Sequence, residues 1–230
     1  RQLAERASLR TNWKPDSGLG KSTDHVLAQF IADCRAGSLP AVSWVVTPYG
    51  YTEHPAARPV DGAAYVQRML RAIWDNPALW ERTVVLINYD ENDGFFDHVI
   101  PPVAPAGTPD EYVRGRPIGL GPRTPLLVIS PWSTGGYVCS QVFDHTSILR
   151  FLEAWTGVRE SNISAWRRSI CGDLLSCFDF GAHRTSIPTL PDTSTLRAAA
   201  DRTEAGRPRP EPPDPGRQQP PVQEPGSAPA

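Results

Sequence analysis

Apolar side chains recur at helical spacing in three stretches of the sequence. The first runs from Val26 to Cys34, the second from Tyr65 to Trp74 and the third from His145 to Trp155. An apolar face that repeats about every 3.6 residues predicts an amphipathic helix in each stretch. The residues suited to begin these helices are 22–24, Asp61 and Asp144, and those suited to end them are Gly37 and 75–77.

Three shorter runs are rich in apolar and β-branched residues, at 42–47, 83–89 and 125–130. Nearly unbroken apolar runs are typical of strands that are covered on both faces. Because helices alternate with these runs, we predict an α/β fold with a largely parallel sheet, in which the three strands end at one sheet edge. Residues 100–123 have no periodicity, which predicts a long loop that is either functional or disordered.

Proline is concentrated at the C-terminal end of the sequence. Nine of the 25 prolines follow Arg207, in a stretch without an aromatic residue. Such a composition buries too little apolar surface to offset the entropy of ordering the chain. We therefore predict a folded region over residues 1–204 and a Pro-rich disordered linker or tail over 205–230.

The charge balance argues against one broad class of partner. The 23 basic and 25 acidic residues give a formal net charge of −2, whereas nucleic-acid binding depends on a surplus of Lys and Arg. No apolar run reaches the roughly 18 residues that a transmembrane helix needs. The first residues do not have the pattern of a signal peptide. We expect no nucleic-acid partner and no transmembrane segment.

Four cysteines leave the redox state open. None of them forms a C-x-x-C pair, so a zinc knuckle is not expected. Cys171 and Cys177 are close enough in sequence to close a small disulfide loop in an oxidising compartment. Buried free thiols are an equal alternative.

The most informative stretch is the acidic segment that follows the second strand-like run. Residues 88–98 read N-Y-D-E-N-D-G-F-F-D-H and hold the carboxylates of Asp90, Glu91, Asp93 and Asp97. Negative charges this close together are costly at the mouth of an apolar strand unless a cation or donors compensate them. Carboxylate oxygens suit a divalent metal, and open α/β sheets bind ligands at the carboxyl ends of their strands. A polar turn with local caps is the alternative.

Two histidines add candidate chemistry. His54, within T-E-H-P, follows the first strand-like run and lies at the same edge as Asp90 if the sheet is parallel. A histidine beside a bound phosphate can donate a hydrogen bond or shuttle a proton, although a loop histidine is more often solvated. His145, within D-H-T-S, opens the third helix, whose N-terminus can bind an anion, while Asp144 can serve there simply as the N-cap.

Taken together, these segments resemble the bacterial phosphoesterase family, which contains the phosphatidylcholine-hydrolysing phospholipases C and related acid phosphatases. The matching stretches lie between about residues 35 and 180. They read L-P-A-V-S-W, T-E-H-P, D-E-N-D-G-F-F-D-H, G-L-G-P-R, S-P-W-S, V-F-D-H-T-S and W-R-R-S-I-C-G-D-L. The resemblance implies an alkaline-phosphatase-like α/β/α sandwich around a largely parallel sheet, incomplete at the N-terminal end of this chain.

The resemblance also implies a set of site residues. Asp90 and Glu91 are expected to bind a divalent metal ion, and His54 to act as a catalytic residue at the substrate phosphate. The family's Glu-Asn ligand pair and its Ser or Thr nucleophile have no counterpart in this sequence, so no nucleophile is assigned. The further candidates for contact with the substrate are Asp93, His98 and His145.

The function implied by the resemblance is that of a phospholipase C-type phosphodiesterase, which hydrolyses phosphatidylcholine-like lipids to diacylglycerol and a phosphorylated head group. Two alternatives stay open: an acid phosphatase or other phosphoesterase of the same fold, and a non-catalytic module that retains half of the metal site. The missing motif predicts that this chain is the C-terminal part of a catalytic domain and is inactive alone. The family also implies export, with transient membrane-surface contact through segments outside this chain.

Overall fold

The computed structural model describes residues 27–204, apart from 56 and 96, together with 214–217 and 219. It contains the helices α1 Ala28–Ala36, α2 Pro59–Trp74, α3 Pro77–Trp80, α4 Thr146–Thr156, α5 Ala165–Ile170 and α6 Thr193–Glu204. Its strands are β1 Val85–Asn88, β2 Tyr112–Val113, β3 Arg116–Pro117 and β4 Leu126–Ile129. Turns of 3-10 helix occur at Tyr49–Tyr51, Leu175–Cys177 and Pro215–Arg217. The fold therefore mixes helix and strand, as an α/β protein does, and divides into two compact units at Thr83/Val84 and Arg184/Thr185.

The long helix α2 organises the first unit, which includes residues 27–83 and 185–204. Pro59 occupies its first turn, where the fixed φ and the missing N–H of proline suit a helix start. Tyr65, Leu70 and Ile73 lie on its buried face, and α1 and α6 both pack against it. As predicted, α1 ends at Gly37, whose φ of +66° a glycine adopts without steric cost.

A buried carboxylate fastens α6 to α2. Asp61 is not the N-cap that the sequence suggested, because the helix already begins at Pro59 and places Asp61 inside its first turn. There the Asp61 carboxylate is fully buried and accepts hydrogen bonds from Nε of Arg58 at 2.7 Å and Nε of Arg197, on α6, at 2.6 Å. Burial by itself raises the pKa of Asp61, but the two guanidinium groups outweigh it and hold the pKa below its ordinary value.

The sheet expected from the three strand-like runs is not what the described residues form. Residues 42–47 form no strand, and Trp44 and Val46 within them are 68% and 59% exposed. In the second unit β1 pairs with β4, but the two strands are antiparallel, with Val85 opposite Ile129. The prediction of parallel neighbours is therefore wrong for this pair.

The connection between β1 and β4 explains their antiparallel pairing. Parallel strands need a crossover, usually a helix, that carries the chain back to the starting edge. Residues 100–123 instead contain the β2–β3 hairpin, whose Arg114 and Gly115 have φ of +51° and +73°, as a type I′ turn requires. Glu111, just before this hairpin, is 1% exposed. The predicted long loop is thus an ordered segment that delivers a carboxylate into the interior of the second unit.

Helix α4 begins close to the predicted position. The N-cap is His145 rather than the predicted Asp144, one residue earlier. Asp144 Oδ1 nevertheless accepts hydrogen bonds from the N–H of Thr146 at 2.9 Å and from its Oγ1 at 2.6 Å, at the first residue of the helix. The predicted inward face is only partly right, because Leu149 and Trp155 are 37% and 58% exposed.

Several predictions fall outside the described residues or stay untested. The helix start at 22–24 lies outside them, as does most of the predicted tail, so the boundary at residue 204 stays a prediction.

All four cysteines are free thiols, and burial raises the pKa of Cys171 to about 12. Among the described helices, none combines the length and apolar character needed to cross a bilayer.

We predict that Asp61→Asn lowers the free energy of unfolding by about 3 kcal/mol, because it leaves two guanidinium groups facing a neutral amide inside the first unit. Urea unfolding measures the loss, and hydrogen exchange should show faster exchange of the α6 amides. Asp201→Asn is the matched control, since Asp201 meets the same Arg58 at 2.6 Å but is 65% exposed. This control should cost less than about 1 kcal/mol. Equal effects of the two substitutions would contradict the role assigned to Asp61.

Candidate functional site

The acidic segment leaves β1 through a tight turn. Asp93 and Gly94 both have left-handed φ, of +55° and +73°. The N–H of Phe95 donates to the carbonyl of Asn92 at 3.2 Å and closes this turn. Two successive residues with positive φ are the pattern of a type I′ turn, for which Asp-Gly is a favoured pair. The turn fixes the path of the chain immediately after the adjacent carboxylates.

The carboxylates of this segment divide into two kinds. Asp90 and Glu91 are exposed at the end of β1, whereas the Asp97 side chain is 12% exposed and fully engaged. Arg123 donates to its two oxygens from Nε, from Nη2 and from its backbone N–H, at 2.8–3.1 Å. These hydrogen bonds hold the pKa of Asp97 well below its ordinary value. Asp97 therefore joins the two ends of the long loop, whereas the side chains of Asp90 and Glu91 are exposed where a ligand could reach them.

His145 reaches the same turn from the start of α4. Its Nε2 lies 3.1 Å from the backbone carbonyl of Asp90, and its Nδ1 lies 3.2 Å from the Nδ2 amide of Asn88. The carbonyl only accepts and the amide nitrogen only donates, so the two contacts together assign the neutral imidazole with its proton on Nε2. One ring thus bridges the end of β1 and the acidic turn.

A buried ion-pair cluster includes the residue that precedes His145 in the sequence. We call it the Arg167 cluster: Arg167 of α5, Glu111 and Asp144. The guanidinium of Arg167 donates to Glu111 from Nε and Nη2, at 2.9 and 3.0 Å, and to Asp144 from Nη1 at 2.7 Å. Its Nη2 also donates to the carbonyl of Gly119 at 3.1 Å, and Ser164 Oγ donates to Glu111 at 2.6 Å. The cluster fixes Asp144, the residue that precedes His145.

The donor set fits a divalent metal only in part. Asp90 and Glu91 are adjacent, exposed and acidic, which suits a hard cation. However, within the ranges that the structure describes, no three His, Cys, Asp or Glu side chains are grouped to hold a metal ion. Since Ca²⁺ and Mg²⁺ take about six or more oxygen ligands, these two carboxylates can form only part of a metal site.

The remaining predicted site residues are distributed over both units. His54 lies in the first unit, where it is exposed and its ring centroid is 5.7 Å from that of Tyr49. His98 is exposed in the second unit, and its Nε2 lies 3.3 Å from Nη2 of Arg123. That His54 shares a cleft with Asp90 and Glu91 stays a prediction.

Comparison with known proteins decides the family. The model of the phosphoesterase family matches residues 6–159, a range that includes the acidic turn, the hairpin and α4. The chain belongs to the phosphoesterase family.

Individual phosphoesterases named phospholipase C are similar to this chain. It is 48% identical to a non-hemolytic phospholipase C of Pseudomonas aeruginosa over 79% of its own length and 29% of that protein. A hemolytic phospholipase C of the same organism is 50% identical over 76% of this chain and 26% of the relative. Phospholipase C B of Mycobacterium tuberculosis is 47% identical over 66% and 32%. The chain thus spans less than a third of the length of these relatives.

Sequence reasoning missed four residues that shape this phosphoesterase site. No role was assigned to Asn88, Glu111, Arg123 or Arg167, although the last two fall in motifs that carry the resemblance. Glu111 and Arg167 are 56 positions apart, and Arg123 and Asp97 are 26 apart. Pairs this distant leave no local periodicity. The sequence did offer one signal for the missed residues. Some of these charged residues stand inside motifs that are otherwise rich in Gly and Pro or apolar.

We predict that Asp97→Asn removes part of the acid sensitivity of this phosphoesterase chain. Because the folded-state pKa of Asp97 lies below its unfolded value of about 3.9, its ion pair stabilises the fold above about pH 4 and is lost as pH falls further. Arg123 is 60% exposed, so the loss at neutral pH should stay near 1 kcal/mol or less.

The measurement is urea unfolding between about pH 7 and pH 2. The wild type should lose stability below about pH 4 more steeply than Asp97→Asn. Asp110→Asn is the control, because Asp110 is exposed and has a left-handed φ of +64° that Asn adopts readily. Identical acid slopes for the wild type and Asp97→Asn would show that the Arg123 pair does not set the pKa of Asp97.

Proposed function

We propose that this chain is part of a phospholipase C-type phosphodiesterase that hydrolyses phosphatidylcholine-like lipids to diacylglycerol and a phosphorylated head group. The observation that carries the proposal is the Asp90–Glu91 pair, exposed at the end of β1 on a turn that neighbouring segments hold in place. Support comes from membership of the phosphoesterase family and from identities of 47–50% to relatives named phospholipase C.

In this proposal Asp90 and Glu91 supply two ligands of a divalent metal site, and segments outside this chain supply the rest. A divalent ion there would neutralise charge on the phosphate and lower the pKa of the attacking hydroxyl. His54 is proposed to donate a proton to the leaving oxygen, a role that an exposed imidazole can take in general acid catalysis. The attacking hydroxyl is assigned to no residue of this chain.

Asp93 and His98 are proposed to contact the substrate. Asp93 lies at the corner of the turn that follows Glu91, and His98 is exposed at the end of the same segment. We further propose that the whole protein is exported and meets phospholipid by transient contact with a membrane surface, as the family resemblance implies.

The larger α/β/α fold with a parallel sheet is also a proposal. A ribbon of two four-residue strands is marginal by itself, since stable sheets generally need three or more strands or a helix packed against them. Leu127 of β4 is 47% exposed, and residues 42–47 carry apolar side chains but form no strand in the described structure. We propose that β1 and β4 join a larger sheet in the whole protein, where residues 42–47 also form a strand.

We predict that an Asp90→Asn, Glu91→Gln double variant of the longer protein lowers kcat/KM for a chromogenic phosphocholine ester by about 100-fold or more, because it removes both charges proposed to hold the metal. The 230-residue chain alone should show no turnover. Release of the chromophore measures both. Asp110→Asn, an exposed acidic site on the long loop, is the matched control and should keep wild-type activity.

Assays with a phosphate monoester and a phosphocholine diester distinguish the alternative functions. Preference for a chromogenic phosphate monoester over the phosphocholine diester would replace the phospholipase proposal with an acid phosphatase. No hydrolysis of either ester by the longer protein would favour a non-catalytic module. An unimpaired double variant would remove Asp90 and Glu91 from the site.

A further inference from the structure

The orientation of the peptide group between Asp90 and Glu91 decides the directions in which their two side chains leave the backbone. The Asp90 carbonyl belongs to this group, which is planar. Fixing the direction of that oxygen therefore fixes the plane from which both side chains depart. Both side chains are exposed, so packing does not orient them. A hydrogen bond to the Asp90 carbonyl can fix the orientation of this peptide group directly.

We propose that His145 is a positioning residue, which orients the Asp90–Glu91 peptide group and is itself held by the Arg167 cluster. The inference rests on the proposed function, because it assigns His145 a role toward that site. The imidazole donates from Nε2 to the Asp90 carbonyl at 3.1 Å and accepts at Nδ1 from Asn88 at 3.2 Å. A two-point contact of this kind fixes both how the chain leaves β1 and how the next turn is oriented.

The anchor of His145 lies one residue back along the chain. The imidazole is exposed, so its position depends on its backbone. Asp144 Oδ2 accepts from Arg167 at 2.7 Å, Asp144 Oδ1 accepts from Thr146, and the backbone N–H of Asp144 donates to the buried Ser147 Oγ at 3.1 Å. The guanidinium of Arg167 is in turn held by Glu111, which is 1% exposed. The rigid interior is thus connected to the exposed turn through Asp144 and His145.

This role differs from the substrate contact that the sequence suggested for His145. Both ring nitrogens already have partners within the chain, so binding a phosphate oxygen would break one of those contacts. A positioning histidine supports catalysis without touching the substrate. Loss of it should therefore lower kcat and leave KM nearly unchanged, whereas loss of a residue that binds substrate equally in its ground and transition states raises KM.

The first test is the tautomer of His145 in the 230-residue chain, labelled with ¹⁵N on its histidines. The resonance is assigned by its absence from the His145→Gln spectrum. The geometry requires a protonated Nε2 and an unprotonated Nδ1 in the neutral ring. A proton on Nδ1 would overturn the proposal whether or not the protein is an enzyme.

The second test compares variants of the longer protein on the phosphocholine ester. His145→Ala should lower kcat about 10- to 100-fold, the usual effect of removing a group that orients a metal ligand, with KM changed by less than about threefold. His145→Gln should recover most of this loss, because its amide can both donate to the Asp90 carbonyl and accept from Asn88. His183→Ala is the matched control, since His183 packs against Trp132 and has no proposed part in the site.

The outcomes separate this inference from the proposed function. Wild-type kcat in His145→Ala, or a raised KM with unchanged kcat, would overturn the positioning role and leave the phospholipase proposal standing. An inactive wild-type protein would instead overturn the proposed function. In that case the backbone amide shift of Glu91 decides the positioning role: it should move in His145→Ala and stay near its original value in His145→Gln. An unmoved shift in His145→Ala would refute it.

Discussion

The guanidinium group of Arg167 is the contact on which the second unit depends. Its donors reach Glu111, Asp144 and the carbonyl of Gly119, which come from separate segments of the chain. The two carboxylates are 1% and 6% exposed, and buried charges of this kind are unfavourable unless an opposite charge and further hydrogen bonds compensate them. Satisfying them brings the hairpin loop, the start of α4 and the start of α5 together. The acidic turn after β1 then takes its position from α4, through His145.

The first unit contains the same kind of shared ion pair, with the charges reversed. There one buried carboxylate, Asp61, is shared by the guanidinium groups of Arg58 and Arg197. In both units a single charge meets two opposite charges, and at least one of the two comes from a segment distant in sequence. The planar fork of arginine presents several donors in fixed directions, which an ammonium group does not. The sequence contains only two lysines, Lys14 and Lys21, so nearly all of its basic residues can take this role.

Local features of the fold were predictable from the sequence, and features set by distant contacts were not. The end of α1 at Gly37, the start of α4 to within two residues of Asp144 and the strand ending before the acidic turn followed from capping and periodicity. The direction of strand pairing did not, because it depends on whether residues 100–123 form a crossover or a hairpin. Asp61 was mistaken for a helix cap, since its partner Arg197 is 136 positions away. Within the site, the acidic pair was found by charge density, but Arg167 was missed for the same reason as Arg197.

The central proposal is that a divalent cation binds Asp90 and Glu91, whose peptide group is positioned by His145 and, through Asp144, by Arg167. Paramagnetic broadening of backbone amides by Mn²⁺ tests it most directly, because it detects even the weak binding expected of two carboxylates. At the lowest Mn²⁺ concentrations the account predicts broadening centred on Asp90 and Glu91, and its loss in the Asp90→Asn, Glu91→Gln variant. Broadening that is centred on another acidic segment, or that persists in the double variant, would contradict it.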